Sequence, residues 1–509
     1  MTTQKNVGWV RPQAVTCQDQ ATTPNEWPVL PIEQIADVNP RIEKSSIPDD
    51  LPVSFVPMPA VGAGDGTIHV EETRPAGEVK KGFTAFLEGD VLFAKITPCM
   101  ENGKMAVVPK LVNGYGFGST EFHVLRPKPG MDAKYLYYFV SSQSFRGEAE
   151  RYMTGAVGQK RVSTTYLKES KIPVAPLDQQ KRIVAEIEKQ FSRLDEAVAN
   201  LKRVKANLKR YKAAVLKAAV EGRLVETEAE LARREGRDYE TGAQLLQRIL
   251  ETRRSQWKGK GKYKEPAVPD ATDLPELPEG WVWASPEQLS AGESYSLAIG
   301  PFGSSLKVSD YTKSGVPLVF VRNIRAASFG SPDTVYVTQT KADELRAHWV
   351  STGDLLVTKM GDPPGDVCIY PSHRPPAVIT ADCIKLRLAR DFMPTAFFAY
   401  AIESDLVHKQ ILGITKGVAQ LKVSLGRFGL IGFPLLPIAE QHRIVTEIDR
   451  RLSVVRKVET QVETNLKRAE RLRQSVLTTA FNGRIVGVSN IKRPSMHTKL
   501  PNNKTREAR

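Results

Sequence analysis

The chain has 509 residues, 41% hydrophobic and 25% charged, proportions that exclude a disordered or fibrous protein and, at this length, predict roughly three compact units. A net charge of +15 and a pI near 9.4 point to a polyanionic partner, most often nucleic acid, against the plainer reading of a generically basic soluble protein. No apolar run approaches the roughly 18 residues of a membrane span, so no membrane association is expected.

Residues 1–26 lack the apolar stretch of a secretory signal, and a cytoplasmic location is expected. From 27 to 176 the chain alternates short β-like runs such as VLFAKI and MAVVPKLV with Gly, Pro and Asp, and AKYLYYFVSSQSF reads as a short helix. A helical region follows over 177–257. Its first part carries apolar residues at Ile187, Phe191, Leu194, Val198, Leu201, Val204, Leu208, Tyr211 and Val215, a mean step of about 3.5 residues that predicts a coiled-coil seam. Pro176 precedes this helix and Gly222 stands where a left-handed residue would end it. If residues 178–221 are helical throughout, the rod is about 66 Å long. Seven basic residues and no acid lie between Lys202 and Lys217, either a solvated helix face or a stripe facing phosphate or a partner.

Residues 258–280 are rich in Lys, Gly and Pro and read as a linker. A second mixed segment spans 281–437, with β-like runs PLVFVRNI, DLLVTKM and CIKLRL and a helical PTAFFAYAIESDLV. A second helix over 438–486 has its seam at Ile448, Leu452, Val455, Val458, Val462, Leu466, Ala469, Leu472 and Val476. Residues 487–509 have few apolar side chains and are expected to be a disordered basic tail.

The chain repeats itself at an offset of 261. Thr154–Val225 aligns with Thr415–Val486 over 72 positions without a gap and with 21 identities, among them Gln180/Gln441, Arg182/Arg443 and Gly222/Gly483. Weaker echoes lie upstream: GDVLFAK (89–95) with GDLLVTK (353–359), and WPVLPIEQI (27–35) with WVWASPEQL (281–289). Such a period is far longer than that of a solenoid and marks a duplicated half. The expected fold class is α+β: two similar mixed α/β domains, each followed by a long helix, the helices pairing as an antiparallel coiled coil with pseudo-two-fold symmetry. Pairing of each helix with another molecule is the alternative.

Catalytic signals are missing. GDPPGD (361–366) resembles an amino-methyltransferase loop, but Gly365 stands where an aromatic ring should stack on a flipped base. There is no phosphate-loop motif and no H-E-x-x-H. Cys17, Cys99, Cys368 and Cys383 form no C-x-x-C pair or cluster with histidine, so they read as free thiols, and no metal site is expected. The chain therefore reads as a binder without catalytic activity of its own. Candidate DNA contacts in the first half are Lys95, Thr97, Asn102, Lys104, Gln159, Lys160 and Arg161; in the second they are Ser304, Ser305, Lys307, Arg322, Asn323, Arg325, Lys359, Gln420 and Lys422. Arg, Lys, Asn and Gln read base edges, whereas Ser and Thr hold phosphates.

The duplicated IPVAPLDQQKRIVAEIEKQF and FPLLPIAEQHRIVTEIDRRL, each run closing in EGRLV or NGRIV, together with LPELPEGWVW and GPFGSSLKVSDYTKSGVPLVFVRNI, resemble the specificity subunit of type I restriction–modification systems. The likeness covers about residues 27–486; one departure is PNEWP (24–28) where the second half has LPEGW. It implies two target recognition domains, each reading half of a split double-stranded DNA sequence. The paired helices would space the half-sites and dock two methyltransferase subunits, with restriction subunits joining that core. S-adenosylmethionine, ATP and magnesium would belong to those partners and none to this chain. The rival readings are a stand-alone methyltransferase or nuclease with fused recognition domains, and a coiled-coil scaffold that reads no DNA.

Overall fold

The computed structural model describes residues 27–485 except 71, 157, 259–260, 325–328, 331–333 and 418–420. The expected tail at 487–509 and the first 26 residues therefore lie outside the described residues. The chain divides into two compact units, one from Met1–Leu201 with Thr464–Arg509, the other from Lys202–Glu463.

In the first unit the strands are β1 (Val29–Pro31), β2 (Ala36–Val38), β3 (Pro52–Val56), β4 (Glu72–Pro75), β5 (Thr84–Leu87), β6 (Val91–Ala94), β7 (Met105–Val107), β8 (Tyr115–Gly118) and β9 (Phe122–Pro127). Helices α1 (Ala133–Ser141) and α2 (Gln143–Arg151), strand β10 (Lys171–Pro173) and the long helix α3 (Leu177–Val220) follow. The predicted single helix at 133–145 is broken because Ser142 is extended and its hydroxyl accepts from the Phe145 N–H, starting a new helix. The strands form two four-stranded sheets, ordered β2-β9-β6-β7 and β4-β3-β8-β5, with β3 and β8 parallel. Strand β1 pairs with β10, so the unit closes immediately before α3.

The second unit adds α4 (Glu228–Glu235) and α5 (Gly242–Ser255), then β11 (Val282–Ala284), β12 (Leu297–Ile299), β13 (Val316–Val319), β14 (Tyr336–Val337), β15 (Trp349–Val350), β16 (Leu355–Thr358), β17 (Val367–Ile369), β18 (Ala377–Ile379) and β19 (Cys383–Leu386). Helices α6 (Thr395–Glu403) and α7 (Asp405–Gly413), strand β20 (Phe433–Leu435) and the part of the long helix α8 (Ile438–Phe481) up to Glu463 complete it. Its sheets run β12-β19-β16-β17 and β14-β13-β18-β15, with β13 and β18 parallel and β11 paired to β20. Strand for strand, this is the order of the first unit. The central strands β6 and β16 are buried at every position, which is why both read as unbroken apolar runs.

The repeated letters have matching structural work. Asp90 of GDVLF accepts two bonds from Arg126, each 2.8 Å, and one from the Leu87 N–H. Asp354 of GDLLV accepts two from Arg387 at 2.9 and 2.8 Å, and one from the Ser351 N–H. Both aspartates are buried, so the bidentate guanidinium and the turn N–H replace the water that the charge loses. Trp27 Nε1 donates to Gln179 at 3.2 Å, and Trp281 Nε1 donates to Glu440 at the same distance. The first half thus seats its tryptophan as the second does, although PNEWP replaces LPEGW. Glu440 also accepts from the Glu228 N–H, and burial pushes its carboxyl up to about 7.

Both long helices have 44 residues and end at glycines in the left-handed region, Gly222 at φ 69° and Gly483 at φ 67°. Within the first unit Ile187 and Phe191 pack with Leu477 and Ala480, and the Arg473 guanidinium lies 4.3 Å from the Phe191 ring centre while pairing with Asp195. Within the second, Val215, Leu216 and Ala219 pack with Ile448, Leu452 and Val455. The start of each helix therefore meets the end of the other, and the pairing is antiparallel. The predicted seam needs correction. Ala469 is buried as predicted, but Leu472 is 45% exposed and Leu477 and Ala480 are buried instead; Val204, Tyr211 and Val458 are exposed too. A 3.6-residue helix drifts out of phase with a 3.5-residue pattern, and the uneven steps give the drift no supercoil to follow.

Candidate nucleic-acid interface

The predicted contacts of the first unit converge at the end of β6. The Lys95 N–H donates to Glu121 O and the Val162 N–H donates to Lys95 O, each at 2.9 Å; the Thr97 N–H reaches Lys160 O at 3.0 Å. Isolated bridges join Ile96 and Thr154 to Arg161. Loop 95–104 and loop 154–162 are thereby one corner, holding all seven predicted residues. Their side chains divide sharply. Asn102, Gln159 and Lys160 are exposed. Arg161 is bound to Glu121 through two bonds of 2.9 and 2.8 Å, Lys104 Nζ donates to Met58 O at 3.0 Å, and Thr97 Oγ1 is buried without a hydrogen-bond partner. Lys104 and Thr97 thus build the corner, while Arg161, its side chain 42% exposed, is held at the surface of the corner by Glu121.

The second unit repeats the scheme. The Lys359 N–H donates to Asp382 O at 2.8 Å and the Val423 N–H donates to Lys359 O at 3.0 Å, with bridges from Met360 and Lys416 to Lys422. Lys422 is exposed; Lys359 is half-buried, with Nζ 3.2 Å from Ala381 O. The loop carrying exposed Ser304, Ser305 and Lys307 starts at this corner: the Gly300 N–H donates to Cys383 O at 3.2 Å, and a Cβ on Gly300 would lie 2.1 Å from the Thr380 backbone. Only glycine fits there. Two predictions are redirected. Asn323 is buried and its Oδ1 accepts the Phe320 N–H at 2.8 Å, so it shapes a turn; the Arg322 guanidinium sits 4.2 Å from the Phe320 ring centre. Arg325 and Gln420 lie outside the described residues. Of the basic run on α3, Lys205, Lys212 and Lys217 pair with Glu463, Glu403 and Glu221, which favours the solvated-face reading there.

Sequence reasoning missed one feature of the first corner. A cleft of about 600 Å³ is lined by Arg41, Lys95, Thr120, His123 and Thr164 among others. Asn39 shapes its rim at φ 55°: its N–H and Oδ1 bond Val124 at 2.7 and 3.0 Å. His123 is buried, its pKa lowered by desolvation; Nε2 lies 2.9 Å from Val162 O and Nδ1 3.0 Å from Asn39 Nδ2, partners that suit a neutral ring donating from Nε2. The signal was NPR (39–41), an asparagine and proline turn ahead of an arginine.

GDPPGD forms the turn from β16 to β17, where the Gly365 N–H donates back to Thr358 O at 3.0 Å. No group of three His, Cys, Asp or Glu able to hold a metal occurs among the described residues. None of their helices is long and apolar enough to cross a membrane.

A family model described as the type I restriction modification DNA specificity domain matches residues 24–210. The type I restriction enzyme EcoAI specificity subunit of Escherichia coli is 27% identical over 511 aligned residues, covering 90% of this chain and 83% of its own length. The EcoEI specificity subunit of the same organism is 24% identical over the same shares. Over most of its length the chain is similar to type I restriction specificity subunits. The fold agrees: a solved chain from work on complex assembly and conformational transition of the type I R-M system superposes with TM-score 0.66 at 17% identity, covering 91% of this chain and all of that one. The HsdS subunit from Thermoanaerobacter tengcongensis gives TM-score 0.50 at 18% identity over 92% and 99%. Type I specificity subunits are non-catalytic components of their complexes.

Proposed function

We propose that this chain reads a split double-stranded DNA target for a type I restriction–modification complex, each mixed domain contacting one half-site through its loop corner. The observation that carries this is that two corners with one hydrogen-bond scheme display different exposed side chains. Asn102, Gln159 and Lys160 stand at the first; Ser304, Ser305, Lys307 and Lys422 stand at or beside the second. A common frame with different polar tips is what two readers of different sequences need, because base edges are distinguished by the donors and acceptors presented to them. The domains are taken as residues 27–176 and 281–437, and the paired helices as the spacer between half-sites and the docking surface for two methyltransferase subunits. Restriction subunits complete the assembly, and S-adenosylmethionine, ATP and magnesium are bound by those partner subunits.

Co-expression with the cognate modification subunit, followed by sequencing of host DNA for methylated adenine, tests the reading. A split motif with one fixed gap, methylated only when this chain is present, is expected. Methylation that is indifferent to the chain would contradict it. Inserting four residues near Val204 or Val462 should lengthen the preferred gap, and an unchanged gap would remove the helices' spacing role.

A further inference from the structure

The second unit holds an aromatic ring that its own core does not use. Between Pro301 and Leu306, both buried, residues Phe302 to Ser305 are exposed, and the Phe302 side chain is 72% accessible. This is not a loose loop. Leu306 is set in a cluster with Leu318, Val337 and Val378; the Ser305 N–H donates to Phe302 O at 2.8 Å; and Gly300 lies against the Thr380 backbone at a distance no side chain would allow. A large ring held in water at the tip of an anchored turn is unfavourable for the free protein, at about 25 cal/mol per Å² of apolar surface left uncovered. Its surroundings are polar and basic: the hydroxyls of Ser304 and Ser305 and the ammonium of Lys307 follow on the same loop, all exposed. Lys359 lies beyond the 380–382 turn, its Nζ on Ala381 O.

The geometry points to Phe302 as a wedge that inserts its ring between two base pairs of the half-site read by the second domain, while Ser304, Ser305 and Lys307 hold the flanking phosphates. An apolar side chain rimmed by phosphate-binding groups can unstack a base step because the ring replaces part of the lost stacking and the phosphates fix the depth of insertion. The strand order puts the loop after β2 in the matching place in the first unit, and there exposed Arg41 stands instead. The wedge therefore belongs to one half-site only.

This inference rests on the proposed DNA-reading function, and the test separates the two. The motif is first read from adenine methylation in cells that carry the wild-type chain and its modification subunits; no motif there would overturn the underlying function. With the motif known, duplexes carrying 2-aminopurine at successive positions are titrated with complexes of wild type, Phe302→Ala and Phe302→Leu. The wild type should raise 2-aminopurine fluorescence at one step of one half-site. Phe302→Ala should abolish that rise and weaken target binding about tenfold or more, with binding to unrelated duplex unchanged, and Phe302→Leu should restore much of both. Unchanged fluorescence and affinity in Phe302→Ala, or equal weakening on target and unrelated DNA, would overturn the wedge while leaving the motif-reading function standing.

Discussion

The two mixed domains agree where they are built and differ where they meet solvent. Asp90 with Arg126 matches Asp354 with Arg387, and Trp27 on Gln179 matches Trp281 on Glu440. The loops after β2 and β12 share a position but not a chemistry, an asparagine-rimmed cleft with Arg41 against an anchored Phe302. Duplication preserved the parts whose loss would leave a charge or a donor buried without a partner. It left free the exposed tips at Arg41 and Phe302, whose side chains the fold does not bury.

Breaking the shared parts should therefore cost most. Asp354→Ala removes the buried carboxylate that holds the Arg387 and Arg390 guanidiniums, leaving Arg387 with Glu293 alone, and should destabilise the second unit by about 3–5 kcal/mol in denaturant unfolding. Asp90→Ala, which strands Arg126 alone, should cost less than Asp354→Ala. Equal or negligible losses would mean the pairs are ornaments of the fold rather than its supports.

The glutamines at the helix starts sharpen the comparison. Gln180 accepts from the Asp132 N–H at 2.8 Å and donates to Gly130 O and Ala175 O at 3.0 and 2.7 Å. Gln441 donates to Leu436 O at 2.8 Å, and its Oε1 is buried without a partner. The residue before α6 that corresponds to Asp132 is Pro394, which has no N–H to give. Gln180→Ala should thus lower stability by about 2–3 kcal/mol and Gln441→Ala by about 1 kcal/mol, measured by chemical unfolding of each unit.

A smaller asymmetry is titratable. Gln179 is neutral, whereas Glu440 is a carboxyl that burial lifts to about 7. A raised carboxyl favours the folded state fully below its unfolded value near 4.5 and loses that advantage as pH rises through 7. The melting temperature of wild type minus that of Glu440→Gln should accordingly be more positive at pH 5 than at pH 8. A difference that grows with pH would refute the assignment.

Much of this was legible in the letters because duplication printed each structural rule twice. The 44-residue helices, their glycine stops and the strands around GDVLF and GDLLV follow from periodicity and repetition. The seam failed at Leu472 because a one-dimensional pattern cannot register the slow rotation of one helix about another. Asn323 misled because a turn-forming amide and a base-reading amide are the same group in different surroundings. Arg41 and Phe302 carry no repeated signature, and only the strand order shows that they occupy corresponding loops.

The most direct test of the central claim replaces residues 27–153 with the corresponding domain of another family member and reads the methylated motif again. Independent readers on duplicated supports predict that one half of the motif changes while the other half and the gap stay fixed. A change in both halves would contradict it.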